Sequence, residues 1–257
     1  MGAKRRKKVL TTLGAVVLAG VTAIAAGLGQ KAVDAVTAGD PGPPISYSVE
    51  EQGAECGSIT YLPSAKTGSA LRLGPPTDWE AFQHQQGAAF AKRDIVQVAI
   101  QGESARTVTL TGIRFDVERT TRHDGALFSA PCGGGINARG LIVDVEDNPP
   151  KIVSSSEELE GSIESGGLPG SPTSPISFPW TVSLTDPLLL YVVATADFCD
   201  CRWSATIAWV SGDQRGTIDI DDQGEPFRVV GEESLDGYTL DEDGWRKFKT
   251  ASGKLLY

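Results

Sequence analysis

The stretch CDCRWSATIAW, residues 199–209, alternates apolar and polar side chains along most of its length. The odd positions are all apolar: Cys199, Cys201, Trp203, Ala205, Ile207 and Trp209. The even positions between them are mostly polar. Because successive side chains of a β-strand point to opposite faces, this pattern predicts a strand with one face in a hydrophobic core. Both cysteines are expected to point into that core, and Asp200 is expected to point into solvent.

The same period of two recurs on both sides of this stretch. It is found in IVQVAI (95–100), GLIVDVED (140–147) and PWTVSL (179–184). In TVTLTGIRFDVERT (107–120) the apolar parity changes at the dipeptide TG, residues 111–112. An extra residue in one strand produces such a change, so we expect a β-bulge there.

Two further stretches complete the set of strands. The run LLLYVVATA (188–196) is apolar almost throughout, which is typical of a central strand covered on both faces. The segments GTIDI (216–220) and PFRVV (226–230) are separated by DDQGE, which we interpret as a hairpin turn. Residues Asp219, Asp221 and Gly224 match three positions of an EF-hand calcium loop. Gln223 and Val230 do not match, and the turn interpretation is favoured.

Short strands separated by turn residues, in a chain with 30 glycines and 15 prolines, favour a mainly β fold. We predict a two-sheet antiparallel sandwich, immunoglobulin-like in the broad sense, with a small barrel as the alternative. The predicted sandwich domain spans residues 45–231, with a flexible loop at 154–175 and a polar C-terminal tail at 232–257. One helix is predicted within PPTDWEAFQHQQGAAF (75–90), where it begins with a capping box and ends at a glycine.

The N-terminus carries the pattern of a membrane anchor. Residues 1–8 form a basic stub, and residues 9–29 contain no charge and are mostly Val, Leu, Ala and Ile. About 20 apolar residues suffice for a transmembrane helix, and basic flanks stay cytoplasmic. We therefore expect a single-pass protein in the cell membrane, with a cytoplasmic N-terminus, a juxtamembrane stalk at 30–44 and an extracytoplasmic body. The alternative is a secretory signal that is cleaved near Ala38.

The charge distribution excludes one class of partner. The first 31 residues contain six basic residues and no acidic one, so 17 basic and 33 acidic residues lie beyond them. That body carries a formal charge of −16, which repels phosphate backbones, and we expect no nucleic-acid partner.

The chain has four cysteines: Cys56, Cys132, Cys199 and Cys201. Export favours disulfides over thiolate zinc, and the chain has no C-x-x-C pair. Burial beside a tryptophan disfavours a redox role. Side chains two apart on an ideal strand lie about 7 Å apart, too far for a disulfide. We predict that Cys199 and Cys201 each pair with one of the other two cysteines, in either order.

No catalytic signature stands out. The two histidines are His84 and His123, and the motifs H-E-x-x-H and G-x-S-x-G do not occur. We assign no catalytic residue, no cofactor and no metal site, and we expect that the protein is not an enzyme. The alternative is a cell-envelope hydrolase with a cryptic site, in which His123 acts with Asp124.

Three stretches, together with the basic and apolar N-terminus, carry a resemblance. They are DPGPPISYSVE (40–50), DCRWSATIAWVSG (200–212) and GTIDIDDQGEPFRV (216–229). In these stretches the chain resembles uncharacterised single-pass membrane proteins of actinobacteria. The resemblance spans most of the chain, to about residue 231, and implies the same membrane topology. It implies no activity.

These observations favour a membrane-anchored extracytoplasmic binding or interaction module at the cell surface. Its expected partners are the lipid bilayer, through residues 9–29, and an unidentified protein or cell-envelope component. A secreted or anchored hydrolase is the alternative.

Overall fold

A computed structural model describes residues 43–52, 59–73, 82, 85–129, 139–153, 174–241 and 244–249. Within them the chain forms the helix α1 (Ser64–Leu73) and sixteen strands. In chain order the strands are β1 (Ile45–Glu51), β2 (Ile59–Pro63), β3 (Ala89–Ala91), β4 (Arg93–Gly102), β5 (Val108–Thr121), β6 (Gly125–Ser129), β7 (Arg139–Asp144), β8 (Lys151–Val153), β9 (Ser174–Pro175), β10 (Trp180–Val182), β11 (Leu188–Thr195), β12 (Cys199–Ser211), β13 (Gln214–Ile220), β14 (Phe227–Val230), β15 (Asp236–Asp241) and β16 (Gly244–Lys249).

The described strands form two sheets. Sheet A has the order β1-β4-β11-β7-β8, with β9 beside β7. Sheet B has the order β10-β5-β12-β14-β3-β2-β6-β15-β16, with β13 beside β12. The prediction of a mainly β fold with two sheets is confirmed. The prediction that both sheets are antiparallel is wrong, because β7 pairs in parallel with β11 and β9, β14 with β3, and β15 with β6.

The two sheets pack face to face over a shared apolar core. As the period of two predicts, Val96, Val98 and Ile100 of β4 face inward, and Trp203 and Ile207 of β12 meet them from the other sheet. Burial of this apolar surface is the main force that holds the sheets together.

The predicted β-bulge is confirmed. Strands β5 and β12 pair in register until Ala208 lies opposite Gly112, and the next pair is Trp209 with Leu110. Thr111 is therefore the extra residue, and it lets the apolar side chains on both sides of it face the same core.

Residues 190–194 are buried on both faces, as predicted, whereas Leu189 near the start of the strand is exposed. Leu190 and Val192 face the other sheet, whereas Tyr191 and Val193 lie on the opposite face and are also buried. Strand β11 is the middle strand in the order of sheet A.

The hairpin prediction for residues 216–230 is wrong in one respect. The turn itself forms, since Asp222 and Glu225 exchange two backbone hydrogen bonds around Gln223 and Gly224, both with positive φ. The flanking strands β13 and β14 do not pair with each other, because both pair antiparallel with β12, one beyond the other. Strands β13 and β14 thus follow one another along the same strand β12, and residues 221–226 form a small loop between them.

Sheet B continues beyond the sandwich. Its far strands β2, β6 and β15 carry a second apolar cluster, which Ala70 of α1 joins. Tyr238 and Trp245 pack on Phe128, with ring centroids 5.3 Å and 4.9 Å apart. Within the predicted polar tail, residues 236–241 and 244–249 form the antiparallel strands β15 and β16.

Several predicted features lie outside the described residues. They are the segments 1–8 and 9–29, most of the stalk and of the loop at 154–175, and most of the predicted helix at 75–90. Near the end of that helix Gly87 has a φ of +62°, which suits a helix-ending glycine, and Phe90 lies in β3 instead. No helix of the described ranges is long and apolar enough to cross a membrane.

Candidate interaction site

The cysteines of β12 form a disulfide with each other. Cys199 and Cys201 are bonded, and their Cα atoms lie 5.4 Å apart. The prediction that each pairs with Cys56 or Cys132 is wrong for these two cysteines. It assumed the spacing of an ideal strand, whereas the 5.4 Å between these two Cα atoms is within the usual disulfide range. Cys56 and Cys132 lie outside the described residues.

The predicted alternation of β12 holds, but the predicted exposure of Asp200 is wrong. Cys201 is completely buried and Cys199 partly buried, and Asp200 is on the opposite face with only 9% exposure. Its two carboxylate oxygens accept hydrogen bonds of 2.8 Å and 2.7 Å from Arg228 of β14. These hydrogen bonds raise the pKa of Arg228. The guanidinium of a neighbouring strand, which the period of two does not reveal, therefore covers the aspartate.

Directly before the disulfide, the turn between β11 and β12 presents Phe198. Its side chain is 64% exposed, more than any other large apolar side chain among the described residues. The turn itself is held by hydrogen bonds. Glu146 Oε1 accepts the backbone N–H groups of Phe198 and Cys199, both at 2.5 Å. The carboxylate thereby satisfies two backbone donors that would otherwise need water.

A second contact fixes the same turn from the other side. The N–H of Gly231 donates to the Cys199 carbonyl at 2.7 Å, and that of Glu233 donates to the Asp197 carbonyl at 3.0 Å. A Cβ atom at Gly231 would lie 2.2 Å from the carbonyl carbon of Asp197, so only glycine allows this close approach. We call residues 196–201, with Phe198 at the tip, the Phe198 loop.

The surroundings of the Phe198 loop are acidic. Burial and then the negative charge of Glu146 raise the pKa of Asp197, although Lys92 partly opposes them. The nearby cations are already engaged. Lys92 forms an ion pair with the buried Glu232, and Arg122 donates to the Gly231 carbonyl.

Arg119 is engaged in the same way. Its guanidinium donates to three successive carbonyl groups, those of Val145, Glu146 and Asp147. Strand β5 thereby holds the segment after β7, which carries Glu146, against the Phe198 loop.

A second notable group lies inside the sandwich. Asp94 of β4 is completely buried, and its Oδ2 accepts a hydrogen bond of 2.8 Å from Trp203 Nε1 of the facing sheet. Burial, and then the neighbouring charges of Glu51 and Asp222, raise the pKa of Asp94 well above the ordinary aspartate value. The raised pKa favours the neutral form of this carboxyl, which joins the two sheets by its hydrogen bond with Trp203.

Sequence reasoning missed both groups, although each left a signal. Asp94 has the parity of Val96 and Val98, so extending the period of two by one more position points this polar residue into the core. Phe198 directly precedes the strand and breaks its alternation. Neither signal identifies the partners, which come from distant parts of the chain.

The outer face of sheet B carries an open groove of about 390 Å³. It is lined by Asp116, Val117, Glu118, Arg202, Ser204 and Pro226. The ion pair between Arg114 and Asp116 beside it is exposed, so this surface is well solvated.

The other candidate residues are not brought together in the described part of the chain. The His123 side chain is exposed, and its backbone carbonyl accepts a hydrogen bond of 3.0 Å from Tyr61. His84 lies outside the described residues. Asp221 Oδ1 accepts the N–H of Gly224 at 2.7 Å within the projecting turn. No group of three or more His, Cys, Asp and Glu within the described ranges is placed to hold a metal.

Comparison with known proteins adds no relative. No protein-family model, no curated protein and no solved structure matches this chain. The resemblance to actinobacterial single-pass membrane proteins and the hydrolase hypothesis therefore both stay predictions.

Proposed function

We propose that this protein is a membrane-anchored, extracytoplasmic binding module that engages a protein partner through the Phe198 loop. The observation that carries the proposal is a large aromatic side chain that is 64% exposed on a turn whose backbone is held from two sides. Glu146 holds the turn through two N–H groups, and Gly231 packs directly on it.

A fixed, exposed aromatic side chain suits binding for two reasons. Burying a phenylalanine in a partner's pocket removes a large apolar surface from water, and aromatic anchors dominate many interfaces. A turn that is already ordered loses little conformational entropy when it binds. An exposed apolar side chain on a mobile loop has only the first of these advantages.

The charges around the loop define the partner. Asp197, directly before Phe198, is exposed, and so is Asp147, directly after the Glu146 that holds the turn. Lys92 and Arg122 are bound within the protein. The body as a whole is strongly acidic. We therefore infer a protein partner with an apolar pocket bordered by lysine or arginine side chains, because such a rim complements this surface. A second copy of this chain would bring like charge to the contact.

The cellular location is part of the proposal. The uncharged run at 9–29 behind a basic stub supports insertion in the membrane with the body outside. The disulfide between Cys199 and Cys201 agrees with an oxidising compartment. Cleavage near Ala38 would release the same body. The intact mass of the non-reduced protein recovered from membranes distinguishes the two outcomes.

The binding proposal is tested in two stages. A photo-crosslinking amino acid at position 198 of the full chain identifies the contacting protein in cells, and that protein is then purified and titrated. We expect Phe198→Ala to weaken its affinity by about 30-fold, the loss of a typical interface anchor. Leu189→Ala is the matched control, since Leu189 is an exposed apolar side chain on sheet A, at 45%.

Two further variants test the charge of the contact. Asp147→Asn and Asp197→Asn each remove an acidic side chain at the rim, and we expect slower association and a weaker salt dependence. Equal losses for Phe198→Ala and Leu189→Ala would refute the site. Unchanged salt dependence in both aspartate variants would refute the basic rim.

A further inference from the structure

We propose that the Cys199–Cys201 disulfide is a thiol–disulfide exchange site that oxidises a dithiol of the docked partner. Docking through Phe198 rests on the proposed function, whereas the reaction with small thiols does not. The proposal stands on the position of the disulfide, the unequal exposure of its two cysteine residues and a neighbouring guanidinium.

The bond has no evident structural task. It joins two residues of one strand that are a single residue apart, so it connects no separate elements of the fold. Stabilisation by a disulfide grows with the length of the loop that it closes, and this loop is about the shortest possible. Strand β12 is already held by its pairing with β5 and β14 on its two sides. Opening the bond therefore leaves the sandwich assembled.

The exposure of the two cysteines sets the direction of attack. Cys199 is partly exposed beside the protruding Phe198, whereas Cys201 is completely buried. An incoming thiolate reaches the Cys199 sulfur, and Cys201 is the leaving group. A partner bound at Phe198 lies next to the sulfur that is attacked.

A cation lies near the leaving group. The Val145 carbonyl oxygen is 2.7 Å from Arg119 Nε and 4.0 Å from Cys201 Sγ. Arg119 also lies directly opposite Cys201 in the pairing of β5 and β12. Because a nearby positive charge stabilises a thiolate, the guanidinium favours departure of the Cys201 sulfur.

The reaction balances without another reagent in a single turnover. One partner thiolate bonds to Cys199 Sγ, and the S–S bond breaks with its electron pair on Cys201 Sγ, which takes up a proton. The second partner thiol then loses its proton and attacks the partner's own sulfur, and Cys199 leaves as a thiol. The partner is oxidised to a disulfide by two electrons, and Cys199 and Cys201 are reduced.

The first experiment compares the two cysteines in the full chain. Cys201→Ser and Cys199→Ser are incubated with oxidised glutathione, and the adduct is located by peptide mass mapping. We expect Cys199 of the first variant to form the mixed disulfide at least about tenfold faster than Cys201 of the second, since only Cys199 is accessible. Equal reaction of both cysteines, or a native bond that dithiothreitol opens only after denaturation, would overturn the exchange site.

The second experiment uses a synthetic peptide dithiol with lysine and leucine neighbours, and a matched peptide with glutamate in place of lysine. The oxidised full chain should oxidise the basic peptide about tenfold faster than the acidic one at low salt. Phe198→Ser should slow the oxidation of both peptides, because it removes the apolar anchor, whereas Leu189→Ser should change neither rate. No preference for the basic peptide would overturn the oxidation of a docked partner.

The two proposals fail separately. If Phe198→Ala abolishes partner binding but the bond is inert to dithiothreitol in the folded chain, the exchange site fails and the binding site stands. If the bond exchanges and Phe198 affects neither the peptide nor the partner, the binding site fails.

Arg119→Gln, with Arg119→Lys as the conservative variant, tests the cation, since only the former should slow reduction by dithiothreitol.

Discussion

Two aspartates of the sandwich are almost inaccessible to water, yet they are held in opposite ways. Asp94 lies on the inner face of β4 and accepts a hydrogen bond from the indole of Trp203. Asp200 lies on the outer face of β12 and is bound by both arms of the Arg228 guanidinium. One carboxyl has an uncharged donor, and the other has a cation.

The comparison shows what a buried carboxyl needs in order to stay charged. A bidentate guanidinium offsets much of the cost of removing a carboxylate from water. An indole N–H does not, and the charged groups that act on Asp94, Glu51 and Asp222, are negative. The pKa of Asp94 is therefore raised, which favours the protonated, uncharged carboxyl. The following predictions test this difference, beginning with the largest expected effect.

Arg228→Met should cost about 3 kcal/mol in the free energy of unfolding at neutral pH, because it leaves the Asp200 carboxylate covered but without its cation. Urea unfolding measures the loss. Arg202→Met is the matched control, since Arg202 lies directly opposite Arg228 in the pairing of β12 and β14 but is exposed. We expect its effect to stay within about 0.5 kcal/mol. Equal effects of the two variants would show that the ion pair of Arg228 with Asp200 adds nothing to the free energy of unfolding.

Trp203→Phe should destabilise the protein by about 2 kcal/mol, because it removes the N–H donor from a buried carboxyl. Trp209→Phe removes the same atoms on the same face of β12 and controls for the loss of volume. The difference between the two variants should disappear in an Asp94→Leu background, which a double-mutant cycle on unfolding free energies measures. A difference that persists there would mean that the indole N–H acts independently of Asp94.

The contrast between these groups also shows what the sequence reveals. Residues 199–209 and the bulge at Thr111 were predictable because the period of two depends only on local order along one strand. The partners of Asp94 and Asp200 were not, since Trp203 belongs to the facing sheet and Arg228 to a strand whose register no local pattern determines.

The interaction site was predictable only in part, for the same reason. The period of two placed Cys199 and Cys201 on one face, but it assumed ideal strand spacing, and the actual Cα–Cα distance of 5.4 Å allowed them to bond. The fixed backbone of the Phe198 loop depends on Glu146 and Gly231, which are 52 and 32 residues away from Phe198 and Cys199 respectively. Such contacts arise from the tertiary structure.

Asp94→Asn should change how stability depends on pH. Because the folded pKa of Asp94 is raised, the folded state binds a proton that the unfolded state has lost. Below the unfolded pKa of Asp94, about 3.9, its stabilisation of the wild type is fully present. As the pH rises from there to the folded pKa, the stabilisation falls by about 1.4 kcal/mol per pH unit. The asparagine variant has no such fall.

Unfolding of both proteins at about pH 4 and about pH 8 measures this effect. The variant should gain relative to the wild type as the pH rises. A constant difference would show that the pKa of Asp94 is the same in the folded and unfolded states.

Glu51→Gln should have the smallest effect, because it removes a negative neighbour and leaves the burial of Asp94 intact. Burial is the larger cause of the raised pKa, so the pKa should fall only partway toward the ordinary value. The loss of stability with rising pH then ends at a lower pH, and the free energies of unfolding differ by less than about 1 kcal/mol. Glu50→Gln is the control, since Glu50 lies on the opposite face of β1. The pKa of Asp94, measured by NMR titration of its carboxyl carbon, should fall in the first variant and stay unchanged in the second. If Glu50→Gln lowered the pKa of Asp94 by the same amount, the charge of Glu51 would have no specific effect on Asp94.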